Sequence, residues 1–400
     1  MTTADYTRPE VLTDLAGQWA VPVHGNAVIQ WDYDQRNDKL VRLYKQGKQR
    51  QWDMDERLDW DHEVDPDDPL GLPDEFISIA GSKLWDRLPE SERRVVRRHS
   101  SGWLYSQFLH SEQAALIAVG KILLTVEDLD SKLYAATQLM DEARHVEGFN
   151  RFLHTKIGLR YGLSPSISAM FEHAMREPRW DFGVLAAHIL VENMGLATFG
   201  VHRERLKDPL ARAFSAYVAR DEARHVAFGR LLLRAYYPQL SEAELRERED
   251  FVVEGCWALR DRYVDDEIWN TLGYGEEAIK ASRRSPAKRE FRRLVFMRIV
   301  PGLKEIGMFG PRVQEALAKM GVLGFQEVDE EALRALDDKA AVDALTQHEM
   351  ELRRRDIQQV VDLGSARPLD DAGPLDDAGP LDDAGPLGSA GPLDGAVPAP

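Results

Sequence analysis

A glutamate and a histidine three residues apart on a helix project from one face, close enough to share a cation. The chain has this arrangement twice, inside a repeated hexamer DEARHV that sets Glu142 with His145 and Glu222 with His225. Two more glutamates precede them at equal offsets: Glu112 lies 30 residues before Glu142, and Glu192 lies 30 before Glu222. The pairs 112/192, 141/221, 142/222 and 145/225 all differ by 80, so the pattern is an internal duplication. One Glu-x-x-His is a weak signal, easily produced by a solvated charged face; two copies matched to two lone glutamates are not.

Both lone glutamates sit on apolar stripes. Tyr105, Phe108, Leu109, Ala115, Leu116 and Val119 share a face with Glu112, and Leu185, His188, Ile189, Leu196 and Phe199 share one with Glu192. Carboxylates facing a core without partners are costly to desolvate. Two divalent cations remove that cost, because four carboxylates neutralise them and two neutral imidazoles complete the shells. A Glu from each of two helices plus Glu-x-x-His from two others is the ligand set of di-iron and di-manganese carboxylate bundles. The mixture suits two irons, or one manganese and one iron, better than structural zinc, whose thiolates a chain with the single cysteine Cys256 cannot supply. Metal-bound imidazoles usually donate their second N–H to a carboxylate. Asp141 is therefore expected to serve His225, and Asp221 to serve His145, with Arg144 and Arg224 balancing the aspartates. Exposed surface ion pairs are the alternative for the arginines.

The elements that must position these residues read as helices: about 88–124, possessing a bend near Ser100-Ser101-Gly102, then 130–157, 181–206 and 209–236, joined by one long link at 158–180. The expected fold is all-α, a four-helix bundle over 88–237. Residues 1–87 read as a partly irregular wrapping segment marked by Trp19, Trp31, Trp52 and Trp60. Residues 238–365 read as further helices packed on the bundle, opening with a capping box at Ser241–Glu244. From Pro368 the unit PLDDAG repeats, and 366–400 reads as a disordered acidic tail. Its seven aspartates account for part of the net charge of −17, leaving about −10 on the rest. That balance argues against a nucleic-acid surface. With no cationic apolar leader and no uncharged run long enough for a bilayer, a cytoplasmic protein without membrane contact is expected.

With these residues in place, Glu112, Glu142-x-x-His145, Glu192 and Glu222-x-x-His225 resemble the ligands of ferritin-like non-haem di-iron proteins, in the branch of oxygenases and ribonucleotide reductase small subunits. The stretch LYKQGKQRQWDMDERLDW is similar to bacterial di-iron proteins of the p-aminobenzoate N-oxygenase type. The resemblance implies two irons that use O₂ to oxidise a small-molecule substrate or a protein side chain. Departures matter. Reductase small subunits carry a radical tyrosine four residues after the first histidine, where this chain has Phe149, and their aromatic C-terminal docking peptide is missing. The N-oxygenases add a histidine ligand one turn before the second Glu-x-x-His, where this chain has Val218. His188 is read as a hydrogen-bonded core histidine ahead of a seventh ligand, and Gln138 as either a pocket group or a packing residue. Phe108, Leu116, Phe149 and Phe199 complete the candidate pocket. The leading expectation is an oxygenase fed with electrons by a separate reductase, since the chain has no flavin, haem or cysteine-cluster motif. A reductase-like radical generator is second, and iron storage with ferroxidase activity third. A homodimer is permitted by the sequence and not required by it.

Overall fold

The computed structural model describes residues 10, 11, 19–35, 37–262 and 264–365, so the PLDDAG tail lies outside the described residues. The described residues up to Glu349 form one compact unit, and the described residues from Met350 onward fall outside it. The first unit holds all the candidate site residues. Apart from a two-residue parallel pairing of Glu10–Val11 with Leu159–Arg160, its described regular structure is helical.

Within the N-terminal segment, read as partly irregular, helix α1 spans Asp38–Gln49. Asn37 caps it by accepting from the Lys39 and Leu40 amides, and Leu40, Leu43, Tyr44 and Gly47 form its inward stripe at helical spacing. Of the four tryptophans, Trp52 is buried and Trp60 partly so, but Trp19 is half exposed and Trp31 is 78% exposed.

The bundle helices are α2 (Glu90–Thr125), α3 (Leu129–Phe152), α5 (Trp180–Arg205) and α6 (Pro209–Tyr236). Each starts on a recognisable signal where the caps are short and polar: Asp128 accepts from Ser131 N–H, and Asp208 accepts from Ala211 N–H with Pro209 behind it. Helix α2 runs without interruption through Ser100-Ser101-Gly102, where a bend was expected. Small residues there serve close packing, since a Cβ on Gly102 would lie 3.0 Å from Leu159 Cβ. The link 158–180 opens on Gly158, whose φ of 75° ends α3 and its one-turn π extension, and then holds α4 (Pro165–Arg176). The later helices α7 (Glu242–Trp257), α8 (Pro286–Glu305), α9 (Pro311–Met320) and α10 (Glu330–Ser365) follow, α7 with the expected capping box.

Two features of α5 bear on the site. By length and composition it could cross a membrane, yet it is mostly buried in the bundle and carries Glu192. It also widens into a π segment at Leu185–Val191, immediately before Glu192. Such segments re-aim side chains where function requires it. Here the widened turn brings His188 against α6 at Gly229, where an added Cβ would sit 2.3 Å from His188 Cβ. Gly229→Ala must therefore push the two helices apart, and a loss of about 1–3 kcal/mol in chemical denaturation is expected.

Candidate metal centre

All six expected ligands meet in the middle of the bundle, each at most 6% exposed. His145 Nδ1 lies 3.3 Å from Glu112 Oε2, 3.3 Å from Glu222 Oε1 and 3.7 Å from Glu142 Oε2. His225 Nδ1 lies 3.3 Å from Glu142 Oε1 and 3.7 Å from Glu222 Oε2. The two oxygens of Glu142, and the two of Glu222, therefore point to different histidines. Glu112, Glu142, His145 and Glu222 form one donor group, and Glu142, Glu192 and His225 a second, with the donor atoms of each within 4.8 Å of one another. The arrangement has the symmetry of the duplication: one terminal glutamate and one histidine per side, with two carboxylates between.

The donor atoms fit cations. Glu142 Oε2, Glu192 Oε2, Glu222 Oε1 and His225 Nδ1 are buried without a hydrogen-bond partner, a costly condition unless something positive sits among them. Burial raises the carboxyl pKa of Glu142 and of Glu192, for Glu192 well above its ordinary value. For the imidazoles burial acts downward, but it is outweighed: the surrounding carboxylates, Glu112 first at His145 and Glu142 first at His225, raise both well above normal. The ring protons thus stand in for cations among four carboxylates. Two divalent ions would replace them with complete charge balance.

The remaining letters of the hexamer form a buried quartet behind the histidines. His145 Nε2 lies 3.3 Å from Asp221 Oδ2, and His225 Nε2 lies 3.2 Å from Asp141 Oδ2. Arg144 bonds both aspartates, to Asp221 at 3.0 Å, and Arg224 bonds them at 2.9 and 2.7 Å. All four are buried, so the alternative of exposed ion pairs does not hold for the arginines. Burial opposes ionisation of Asp221, but Arg224, His145 and Arg144 together hold it well below the usual carboxylate range. With two positive and two negative charges, the quartet is neutral and leaves the balance of the ligands to the metals.

Two contributors were missed from sequence. Trp52 Nε1 donates to Asp221 Oδ2 at 2.8 Å, and Gln51 Nε2 donates to Asp141 Oδ1 at 2.9 Å while its Oε1 accepts from Arg144 at 2.7 Å. Trp52 also lies under the Arg144 guanidinium and stacks on Tyr217 at 4.5 Å. Their only sequence signal is their place in the stretch LYKQGKQRQWDMDERLDW. Trp52→Phe removes one donor to a buried carboxylate, and thermal unfolding should register a loss of about 1–3 kcal/mol.

The candidate pocket is mostly filled. Phe108, Phe149 and Phe199 pack ring on ring with centroids 4.6–5.9 Å apart, and Tyr105 and Phe214 close the cluster. Leu116 is half-buried on α2. Gln138 is fully hydrogen-bonded: its amide donates at 2.9 Å to both Glu142 Oε1 and Glu192 Oε1, and its carbonyl oxygen accepts from His188 Nε2 at 3.0 Å. That bond fixes the His188 tautomer, and burial, followed by the charge of His225, lowers its pKa to about 3, so the ring is neutral. His188 thus steadies Gln138, which spans one bridging-position and one terminal carboxylate. Beside the centre is a hollow of about 40 Å³ lined by Ala114, Ala115, Ala118, Ala186 and Ala187, with Glu192 at its wall.

A helical bundle with carboxylates and histidines from four helices around one buried, duplicated centre is of the ferritin-like class. A family model described as p-aminobenzoate N-oxygenase AurF matches residues 33–307, and the chain belongs to that family of O₂-dependent di-iron oxygenases. No curated protein matches the chain. Val218, one turn before Glu222, is fully buried and offers no ligand atom.

Proposed function

We propose that the chain binds two irons through Glu112, Glu142, His145, Glu192, Glu222 and His225, and inserts one oxygen atom of O₂ into a small organic molecule. The observation that carries this reading is the pair of donor groups sharing Glu142, whose residues are all buried and leave Glu142 Oε2, Glu192 Oε2, Glu222 Oε1 and His225 Nδ1 without a hydrogen-bond partner. Bound there, an iron pair supplies the redox chemistry of O₂ reduction. The chain's own groups do the rest. Asp221 and Asp141 hold the imidazoles with Nδ1 inward, Gln138 fixes Glu142 and Glu192, and the aromatic cluster keeps bulk water away.

Family membership favours an aromatic amine as substrate class, and with Val218 in place of a further histidine, N-oxygenation and C–H hydroxylation stand as the two candidate reactions. Either leaves one oxygen atom in the product and one in water, consuming two electrons and two protons, which a separate reductase would deliver in the cytoplasm. The hollow at Glu192 suits a diatomic gas; a ring needs a cavity of roughly 150 Å³, so an aromatic substrate enters only as the surrounding packing opens. The test is incubation of the ferrous protein with p-aminobenzoate and related amines under ¹⁸O₂ with a chemical reductant. One labelled oxygen in an organic product is expected. Consumption of O₂ with iron oxidation and no labelled product would favour the ferroxidase reading instead.

The radical-generating reading has its own test. With Phe149 in the tyrosine's place, O₂ added to the ferrous protein should give no stoichiometric tyrosyl signal by electron paramagnetic resonance; a stable one would support it, carried by another tyrosine.

A further inference from the structure

On α6, Arg220, Arg224, Ala227 and Arg230 recur at helical spacing on a face distinct from the one that carries Glu222 and His225. This second face forms a wall of a cavity of about 250 Å³ between α1, α5, α6, α8 and α10. Six arginines line it: Arg50, Arg220, Arg224, Arg230, Arg298 and Arg334. No acidic side chain is among the lining residues. This concentration of positive charge occurs in a chain whose net charge is −17.

The guanidiniums are crowded. Arg220 donates to the Arg50 carbonyl oxygen at 3.2 Å, and the buried Nε atoms of Arg220 and Arg224 have no hydrogen-bond partner. Glu305, outside the lining, stands 3.8 Å from Arg230 and 3.7 Å from Arg334. Burial first, and then the charges of Arg334 and Arg298, lower the pKa of Arg230 to about 9 against the pull of Glu305. Several like charges lining one cavity are destabilising in themselves and are relieved by an anion among them. Guanidinium forks match the oxygens of phosphate and carboxylate groups.

We infer that this cavity is a binding site for a small oxyanion, the phosphate or carboxylate group of a metabolite-sized molecule. The site is separate from the metal centre but mechanically next to it. Arg224 lines the cavity and also holds Asp141 and Asp221, the two carboxylates against the histidines. An occupant therefore binds to the same guanidinium that braces the centre, and Arg50 at the exposed rim offers its entrance.

The experiment is isothermal titration of the full-length, metal-free protein with pyrophosphate, inorganic phosphate, malonate and benzoate, repeated on the double variant Arg50→Gln/Arg334→Gln. Neither substituted residue belongs to the metal centre, and circular dichroism checks that the helices survive. One saturable site is expected, weakened about 10-fold for each arginine removed. Preference for the phosphates or for the carboxylates assigns the class of occupant. Absence of saturable binding to all four probes, or equal binding by parent and variant, overturns the site. Because no iron is present, that failure is distinct from any failure of the oxygenase reading.

Discussion

Replacing Glu142 by alanine is expected to abolish binding at both metal positions, whereas replacing Glu112 or Glu192 should spare one. The difference follows from geometry. Glu142 presents Oε2 toward His145 and Oε1 toward His225, so each donor group loses an oxygen when it is removed. Glu112 contacts only the His145 side, and Glu192 belongs to the group with His225. Anaerobic loading with Fe(II) should therefore give about two irons per chain for the parent, about one for Glu112→Ala and Glu192→Ala, and less than about a tenth of the parent's content for Glu142→Ala. Equal losses in all three variants would remove the distinction between shared and terminal carboxylates.

The second large effect is expected at Asp221→Asn. The amide keeps the size but forfeits the charge that holds His145, Arg144 and Arg224 together. Metal affinity, measured by chelator competition, should fall roughly 10- to 100-fold through the loosened imidazole. Stability should fall as well, by about 3–5 kcal/mol, because two buried arginines are left with Asp141 as their remaining partner in the quartet. An exposed ion pair would move stability by about 0.5 kcal/mol or less. Asp141→Asn should act alike through His225. Unchanged affinity and unchanged denaturation midpoints in both variants would separate the hexamer's aspartates from the site.

What made the centre legible in the sequence was repetition. Chemistry that needs six residues from four helices leaves a periodic trace, and a duplication of 80 residues wrote that trace twice. Helix ends were legible where they carry Pro, Gly or a short polar cap, as at Asp208-Pro209 and Gly158. Groups that act through one long-range contact left no such trace. Trp52 reaches Asp221 across 169 positions, and nothing local distinguishes it from Trp31, which is exposed. Gln138 was visible as polar on an apolar stripe, but its role depends on Glu192 and His188, which only the packed bundle brings to it. The aromatic residues show the reverse error. Phe108, Phe149 and Phe199 share helices with the ligands, but sharing a helix with a site does not make a pocket when the rings fill one another's space. The π segment before Glu192 was likewise hidden, since one extra residue in a turn leaves the apolar pattern almost unchanged.

The most direct measurement of the central claim is anomalous X-ray scattering at the iron edge from crystals of the Fe(II)-loaded protein. Two peaks are predicted inside the bundle, one beside His145 Nδ1 and one beside His225 Nδ1, with Glu142 and Glu222 lying between them. A single peak, or iron bound only at the surface, would contradict a dinuclear centre and with it the proposed oxygenase chemistry.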